Sequence, residues 1–274
     1  MGIPSYFSYI VKNHPNIIKK YVKQQLPSIQ GSFRADNLYL DCNSIIYDAY
    51  NEFNKSIVNE SVNISIIKSV IHKIEQYINT ISPKQTVIIA FDGVAPVAKL
   101  EQQRSRRYKS WFQNEMSKNI FKKFSPDPWN TASITPGTNF MKELNAEITK
   151  HFDTQTCIKN NVADIIVSGS NQCGEGEHKL YDYIRTNPGK HSNQATVVYG
   201  LDADLIMLSI NHLPICPNIY LFRETPHFIR SIDSSLEPNE NYYLDIPEFT
   251  NELTKYLNRS EEHTSELQSP CNLV

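Results

Sequence analysis

Cysteine is scarce in this sequence, and the few cysteines are not arranged as a disulfide framework or as a zinc site. There are five of them, an odd number, and none belongs to a Cys-x-x-Cys pair. Scattered cysteines are typical of reduced thiols in a cytosol-like compartment. The chain also lacks an apolar run of the roughly 18 residues that a membrane span needs, and its N-terminus lacks the apolar core of a signal peptide. We therefore expect a cytoplasmic protein with no membrane partner.

A surplus of basic residues is also missing. Lys and Arg number 27 against 29 Asp and Glu, which gives a formal net charge of −2. The total gives no sign of nucleic-acid binding, but a nuclease can carry a basic channel within a neutral total because its metal site needs carboxylates. With 274 residues and no internal repeat, the chain is long enough for one large domain or two small ones.

Short apolar, β-branched runs recur along the chain, and most of them lead into acidic residues. Such runs are typical of buried strands in a parallel sheet. Apolar residues at helical spacing lie between them, at 66–78 and 140–152. This alternation predicts an α/β fold with an open, mostly parallel sheet flanked by helices, in which ligands bind beyond the carboxyl ends of the strands. The predicted strands are 37–40, 85–91, 163–167, 195–199 and 218–222.

Three further segments complete this assignment. Residues 125–128 and 231–241 are rich in polar and turn-forming residues, and we expect loops there. Residues 242–257 return to an apolar pattern that is compatible with a helix.

Six carboxylates lie at or beyond the ends of predicted strands. Each alone is compatible with a loop or a helix N-terminus, which Asp and Glu favour. At one sheet edge, like charges about 4 Å apart would repel by roughly 4 kcal/mol per pair at an effective dielectric of about 20, unless cations neutralise them. Oxygen ligands favour two Mg²⁺ ions, or Mn²⁺, which suits phosphodiester hydrolysis. The six are Asp41, Asp92, Glu175, Glu177, Asp202 and Asp204.

The pair of Asp202 and Asp204 leaves other enzyme classes open. Glycosyltransferases, and phosphatases with an aspartyl nucleophile, also use an Asp-x-Asp pair. The phosphatases need it directly after the first strand, where this chain reads Asp41-Cys42-Asn43. The pattern therefore favours a nuclease over a phosphatase.

A basic segment follows Asp92 directly. It reads Gly93-Val-Ala-Pro-Val-Ala-Lys-Leu-Glu-Gln-Gln-Arg-Ser-Arg-Arg-Tyr-Lys109. Basic residues at this density are compatible with a solvated helix face. Beside a metal-binding carboxylate they are equally suited to hold a phosphate, because Arg offers forked donors and Lys a compact charge.

Seven motifs of the sequence together resemble the Xrn family of 5′→3′ exoribonucleases. They occur in the family's order and span almost all of residues 1–258. The motifs are Met1-Gly-Ile-Pro4, Leu38-Tyr-Leu-Asp-Cys-Asn-Ser-Ile45, Phe91-Asp-Gly-Val-Ala-Pro96, Gln102-Gln-Arg-Ser-Arg-Arg107, Ile134-Thr-Pro-Gly-Thr138, Gly174-Glu-Gly-Glu-His-Lys179 and Tyr199-Gly-Leu-Asp-Ala-Asp-Leu-Ile-Met207.

The resemblance implies a flap-endonuclease/PIN-like nuclease fold and the degradation of single-stranded RNA with a 5′-monophosphate, in RNA decay or processing. It implies that the six carboxylates are metal ligands and catalytic, and that Tyr47 stacks on the terminal base, where ordinary core packing is the alternative. The implied 5′-phosphate pocket consists of Lys99, Gln103, Arg106 and Arg107.

The sequence departs from the family pattern at a few positions. Val97 replaces a usual Arg, and Cys173 replaces the Pro before the Gly-Glu-Gly-Glu motif. Both lie beside implied functional residues, so we expect modest effects. The resemblance implies a further metal-binding Asp and a second stacking aromatic, and we expect both in a conserved region beyond the end of this chain. No zinc-knuckle spacing follows Glu224. In this respect the chain resembles the cytoplasmic branch of the family more than the nuclear one.

The last sixteen residues, 259–274, are predicted to be a non-native tail. Residues 259–269 match the in-frame translation of a common sequencing adapter, and 272–274 match its continuation after a short index. A polar, frayed C-terminus is the alternative. We therefore predict a nuclease domain over 1–258 that is incomplete on its C-terminal side.

Two other functions stay open at this point. A related flap endonuclease shares the acidic sheet edge and an N-terminal Met-Gly-Ile, although the motifs at 102–107 and 174–179 favour the exoribonuclease. A non-catalytic RNA 5′-end-binding protein is the second alternative. Such proteins usually lack at least one carboxylate, and all six are present here.

Overall fold

Over residues 5–22, 34–53, 61–121 and 129–267, the computed structural model shows seven β-strands and ten α-helices. The strands are β1 (Ile18–Lys20), β2 (Asn37–Asp41), β3 (Thr86–Ala90), β4 (Asp164–Ser168), β5 (Thr196–Tyr199), β6 (Ile219–Glu224) and β7 (Asn241–Asp245). The helices are α1 (Tyr6–Asn13), α2 (Asn43–Phe53), α3 (Val62–Ile81), α4 (Val97–Phe121), α5 (Asn139–His151), α6 (Thr154–Asn160), α7 (Gly176–Thr186), α8 (Pro188–His191), α9 (Asp204–His212) and α10 (Ile246–Leu267).

The chain divides into two compact units. The first unit comprises Met1–Leu38 and Ile184–Val274, and the second comprises Tyr39–Tyr183.

The second unit places β2, β3 and β4 side by side. β3 and β4 are parallel, with Thr86 opposite Asp164 and Ala90 opposite Ser168. All five residues of β3 are buried, which explains why its sequence is a continuous apolar run with no alternation. α3 presents its apolar stripe to this core, and Ile66, Val70 and Ile74 on that stripe are fully buried. Because β3 and β4 run in the same direction, their carboxyl ends meet at one edge.

The first unit places its strands in the order β1, β7, β6, β5. β5 and β6 are parallel, whereas β7 runs antiparallel to both β6 and β1. A buried cluster of Val11, Ile229, Leu236 and Tyr242 packs against Phe7, Ile18 and Ile232. The N-terminal helix α1 is therefore tied into the core formed by the C-terminal part of the chain.

The predicted α/β fold is confirmed, including all five predicted strands and the helices at 66–78 and 140–152. The helical assignment is wrong for 242–245, which belong to the antiparallel strand β7, and β1 was not predicted. Four of the five residues of β7 are buried, so the alternation that marks a half-exposed strand is missing. A 3-10 helix, Ile229–Ser231, precedes the loop predicted at 231–241. The loop predicted at 125–128 lies outside the described residues.

The described residues also bear on membrane spans and on disulfides. No helix among them is long and apolar enough to span a membrane. The four cysteines described, Cys42, Cys157, Cys173 and Cys216, are free thiols.

Candidate active site

Two loops at the carboxyl ends of β3 and β4 are joined through their backbones. The N–H of Gly93 donates to the carbonyl of Gly174 at 2.8 Å, and the N–H of Gly174 donates to the carbonyl of Val94 at 3.1 Å. A Cβ atom at Gly93 would lie 1.7 Å from the carbonyl oxygen of Gln172, and Gly174 has a φ of +95°. Only glycine fits both positions. This loop clamp fixes the acids that follow Phe91 and Gly174.

Asp92 is held from two sides. Its Oδ1 accepts the N–H of Gly176, at the start of α7, at 2.7 Å. Its Oδ2 accepts a short hydrogen bond from Nδ2 of Asn43, while Oδ1 of Asn43 accepts the N–H of Asp92 at 3.1 Å. The carboxylate therefore has a fixed orientation that the start of α2, the end of β3 and the start of α7 determine together.

Asp41 approaches the same point from the end of β2. A Cβ atom at Gly176 would lie 2.6 Å from Oδ1 of Asp41 and 3.4 Å from Oδ1 of Asp92. A side chain at this position would meet the Asp41 carboxylate, so glycine suits the close approach of that carboxylate to the first turn of α7. The positive end of the helix dipole favours negative charge at this position.

The electrostatic environment of Asp92 combines opposing effects. Burial raises the pKa of this carboxyl group, the hydrogen bond from Gly176 lowers it, and the neighbouring Glu175 raises it again. Lys179 and Lys99 lower it. The net effect is a raised pKa, as expected for carboxylates that are gathered in a partly buried place.

Glu175, Glu177 and His178 offer ligand atoms that all lie within 4.8 Å of one another. Nε2 of His178 is 3.6 Å from Oε2 of Glu175 and 3.7 Å from Oε1 of Glu177. Both glutamate side chains are only 13% exposed. With Asp41 and Asp92 nearby, the donors are mostly carboxylate oxygens, which fits a hard divalent cation.

Lys99 connects the acidic group with α4. Its Nζ donates to Oε2 of Glu175 at 2.5 Å. Gln103 and Arg107 follow at steps of four residues along α4, and Arg106 lies beside them, so the four predicted phosphate ligands share one helix face. Nη2 of Arg107 donates to Oε1 of Gln103 at 3.2 Å. Both Arg106 and Arg107 are exposed.

Tyr47 lies on α2 and is 44% exposed as a residue, so it is not a core residue. Burial of part of the side chain raises the pKa of the Tyr47 hydroxyl, Asp92 raises it further and Arg107 lowers it. The ring is thus within the electrostatic reach of both the acidic group and the basic face of α4. Its predicted stacking role stays a prediction.

The remaining two predicted ligands, Asp202 and Asp204, belong to the first unit. They lie at the start of α9, where the N–H of Asp204 donates to Oδ1 of Asp202 at 3.2 Å. Arg223 on β6 is 8% exposed, and its guanidinium lies over the ring of Phe7 at 3.8 Å. Burial lowers the pKa of Arg223 to about 10, against the attraction of Tyr199 and Asp202. The approach of Asp202 and Asp204 to the other four carboxylates stays a prediction.

Sequence reasoning missed three residues of this site. Asn43 orients Asp92, and His178 stands between the two glutamates. Lys179 donates to the carbonyls of Phe91 at 2.7 Å and Gly169 at 2.8 Å, which ties the ends of β3 and β4 together. All three belong to the motifs at 38–45 and 174–179. Their closeness in sequence to the acids of those motifs was the signal that could have identified them.

Comparison with known proteins gives a consistent result. A family model described as the XRN 5'-3' exonuclease N-terminus matches residues 1–225. The 5'-3' exoribonuclease 1 of Saccharomyces cerevisiae is 36% identical over 256 residues, which cover 89% of this chain and 16% of that protein. The 5'-3' exoribonuclease 2 of Kluyveromyces lactis is 30% identical over 300 residues, covering 97% of this chain and 28% of that protein.

A plant relative, the 5'-3' exoribonuclease 2 of Arabidopsis thaliana, is 29% identical over 246 residues, or 77% of this chain and 24% of that protein. The chain therefore spans between 16% and 28% of the length of these three relatives. The family model covers most of the chain, including every residue of the site described above. The chain belongs to the XRN 5'-3' exonuclease N-terminal family.

Proposed function

We propose that this chain is the nuclease part of a 5′→3′ exoribonuclease that degrades single-stranded RNA with a 5′-monophosphate. The observation that carries the proposal is the contact of Lys99 with Glu175, because it joins an acidic, metal-compatible group to the basic face of α4. A phosphodiesterase that starts at a 5′-phosphate needs these two features side by side. The names of the relatives, 5'-3' exoribonucleases, support this activity.

The proposed cofactor is a pair of Mg²⁺ ions, with Mn²⁺ as the alternative. Asp41, Asp92, Glu175 and Glu177 would hold them, and Asp202 and Asp204 are proposed to join from the first unit. The carboxylate-rich donor set of the second unit supports this choice. Two such ions supply an activated water and stabilise the leaving oxygen of an in-line phosphoryl displacement.

The protein's own residues then bind and orient the RNA. Lys99, Gln103, Arg106 and Arg107 would receive the terminal phosphate, because three cations and one amide share a helix face. A small pocket of this kind admits a monophosphate and excludes a cap or triphosphate by size. Tyr47 would stack on the terminal base, which is worth roughly 1–3 kcal/mol. Asn43 and the N–H of Gly176 keep Asp92 oriented.

The departures from the family pattern are compatible with this function. Val97 is 84% exposed at the start of α4, and Cys173 is also exposed. Neither side chain lies among the contacts that orient Asp92 or Lys99, so modest effects are expected. A cytoplasmic location stays part of the proposal, on the evidence of scattered cysteines and the missing zinc-knuckle spacing.

The proposal is tested with three substrates: single-stranded RNA with a 5′-phosphate, the same RNA with a 5′-hydroxyl, and flapped DNA. The enzyme is a clone extended beyond residue 258, so that it contains the family's further metal ligand. We expect degradation of the 5′-phosphate RNA and slow turnover of the other two. A preference for flapped DNA would instead identify a flap endonuclease, and equal rates on both RNAs would remove the role given to Lys99 and Arg107.

Two variants separate an enzyme from an RNA-end-binding protein. Asp202→Asn should abolish turnover while RNA binding is retained, because it removes a proposed metal ligand. Asp164→Asn, at the exposed start of β4, is the matched control and should degrade RNA at the normal rate. Continued degradation by Asp202→Asn would show that the ligand assignment is wrong.

A further inference from the structure

The ion pair of Lys99 and Glu175 uses two groups that the proposed function needs elsewhere. Nζ of Lys99 lies 2.5 Å from Oε2 of Glu175, and the side chains are 35% and 13% exposed. Oε2 is one of the donor atoms of the candidate metal group. The Lys99 ammonium is one of the cations on the face of α4 proposed to hold the 5′-phosphate. One contact thus links both proposed binding events.

Each ligand would compete with this ion pair. A divalent cation at Glu175 repels the ammonium and takes the carboxylate oxygen, so it disfavours the pair. A phosphate on α4 attracts the same ammonium away from Glu175. Whichever ligand binds first must overcome the attraction between Lys99 and Glu175, and the second ligand does not. Such a shared cost makes the two binding events cooperative.

We propose that Lys99 couples recognition of the 5′-phosphate to metal binding through its exchange between Glu175 and the phosphate. This inference rests on the proposed function, because it needs both ligands. It goes further by making Lys99 a specificity-determining residue: a 5′-phosphate tightens the metal site, and a 5′-hydroxyl does not. An RNA with the wrong end would therefore leave the catalytic metals weakly bound.

The surrounding structure favours movement of Lys99 over movement of the backbone. The loop clamp holds two short backbone segments in place, the one that follows Asp92 and the one that precedes Glu175, through two backbone hydrogen bonds. The N–H of Lys99 donates to the carbonyl of Pro96 at 2.8 Å, so α4 begins at a fixed point. What remains adjustable is the four-carbon side chain, which can change partners by rotamer changes alone.

The test measures metal affinity directly, with Mn²⁺ counted by the electron paramagnetic resonance signal of the free ion. The protein extended beyond residue 258 is titrated alone, with a 5′-phosphorylated trinucleotide that has hydrolysis-resistant phosphorothioate linkages, and with its 5′-hydroxyl counterpart. We expect the phosphorylated trinucleotide to tighten Mn²⁺ binding by roughly fivefold or more, the lower end of typical coupling. By reciprocity, Mn²⁺ should tighten binding of the trinucleotide by the same factor.

Lys99→Met is the decisive variant. Without nucleotide, this variant lacks the ion pair and should already bind Mn²⁺ nearly as tightly as the unmodified protein does with the phosphorylated trinucleotide. Adding the trinucleotide to the variant should then tighten Mn²⁺ binding only slightly. Arg104→Met removes the same charge from α4 at a position that is 82% exposed and pairs with Glu101 instead. It should keep both the original affinity and the full coupling.

The outcomes distinguish this inference from the function on which it rests. The same tightening in Lys99→Met and in the unmodified protein would overturn the coupling role of Lys99 and leave the exoribonuclease proposal standing. A loss of coupling in Arg104→Met as well would show a general charge effect and would also overturn it. Absence of Mn²⁺ binding under every condition would contradict the metal site itself, and with it the proposed function.

Discussion

The two units hold their proposed metal ligands in different ways. In the second unit, the Asp92 carboxylate accepts hydrogen bonds from Asn43 and from the N–H of Gly176. In the first unit, Asp202 is exposed, and its carboxylate accepts the N–H of Asp204, two residues further along the chain. Arg223 is a buried cation whose positive charge interacts with Asp202.

This difference indicates that the two units would contribute to metal binding in different ways. Carboxylates that are fixed by neighbouring groups lose little conformational entropy when a cation binds, which favours affinity. An exposed carboxylate at a helix N-terminus can adapt to its ligand instead. We therefore expect the second unit to be sensitive to changes in loop geometry, and the first unit to changes in charge.

The largest expected effect comes from Gly93→Ala. Its new Cβ atom would meet the carbonyl oxygen of Gln172 at 1.7 Å, so the loop clamp must open. Overpacking against backbone costs roughly 1–3 kcal/mol or more of unfolding free energy, and Mn²⁺ affinity should fall with it. Urea denaturation and Mn²⁺ titration measure the two losses. Gly189→Ala in the first unit, where a Cβ atom meets nothing within 4 Å, should lower neither, and an unaffected Gly93→Ala would refute the clamp.

The next effect concerns charge in the first unit. Arg223→Met keeps an apolar stem beside Phe7 but removes a buried guanidinium, so the unfolding free energy should stay within about 1 kcal/mol of the original or rise. Turnover of the extended enzyme should nevertheless fall by about tenfold or more, since losing about 1.4 kcal/mol of the attraction that holds the Asp202 carboxylate in place is enough. Arg223→Lys should recover part of the rate. A variant that loses stability and activity in parallel would show a purely structural role.

Much of this molecule was predictable from the sequence, for identifiable reasons. Strand β3 was recognisable because a fully buried strand must be apolar throughout. The site role of the acid after it was predictable because ligands bind beyond the carboxyl ends of such strands. Strand β7 was misassigned because its burial removes the alternation of a half-exposed strand, and nothing local distinguishes it from the start of α10.

The site was predictable as a set of residues but not as a set of contacts. The motif of glycines and glutamates at 174–177 indicated the acids, yet the clamp between Gly93 and Gly174 depends on two loops that are distant in sequence. The pairing of Lys99 with Glu175 joins a predicted phosphate ligand to a predicted metal ligand. Side-chain choices of this kind depend on competing charges in three dimensions, which spacing along the chain does not encode.

A smaller effect separates the units by their response to acid. In the first unit, burial lowers the pKa of His191 and of His212. Because the unfolded chain then binds protons more readily, stability should fall as the pH drops below the ordinary histidine value of about 6.5. In the second unit, Asp92 has a raised pKa, so its contribution has the opposite sign: stability falls as the pH rises from the ordinary Asp value through the raised one.

Urea denaturation at pH 7.5 and 5.5, with a chelator present, measures this response. The unmodified protein should be less stable at pH 5.5, and His191→Gln should lose less stability between the two values. His72→Gln, at an exposed position of α3, is the control for the change of side chain. An unchanged pH dependence in His191→Gln would show that His191 does not titrate on unfolding.

The smallest difference is expected between the cores of the two units. Cys42 in the second unit and Cys216 in the first are both fully buried. Burial raises the pKa of Cys216 to about 11 and that of Cys42 well above its ordinary value. Since the thiolate is the reactive form, both should resist a thiol reagent at pH 8 until the surrounding structure opens, whereas the exposed Cys173 should react at once.

Mass spectrometry of peptides after timed labelling gives the three rates separately. We expect Cys42 and Cys216 to react at least about 100-fold more slowly than Cys173, because their labelling requires opening of a packed core. Fast labelling of Cys42 alone would mean that the end of β2, directly beside Asp41, opens readily. In that case the rigidity attributed to the second unit would belong to its loop clamp and not to the strand that carries its first carboxylate.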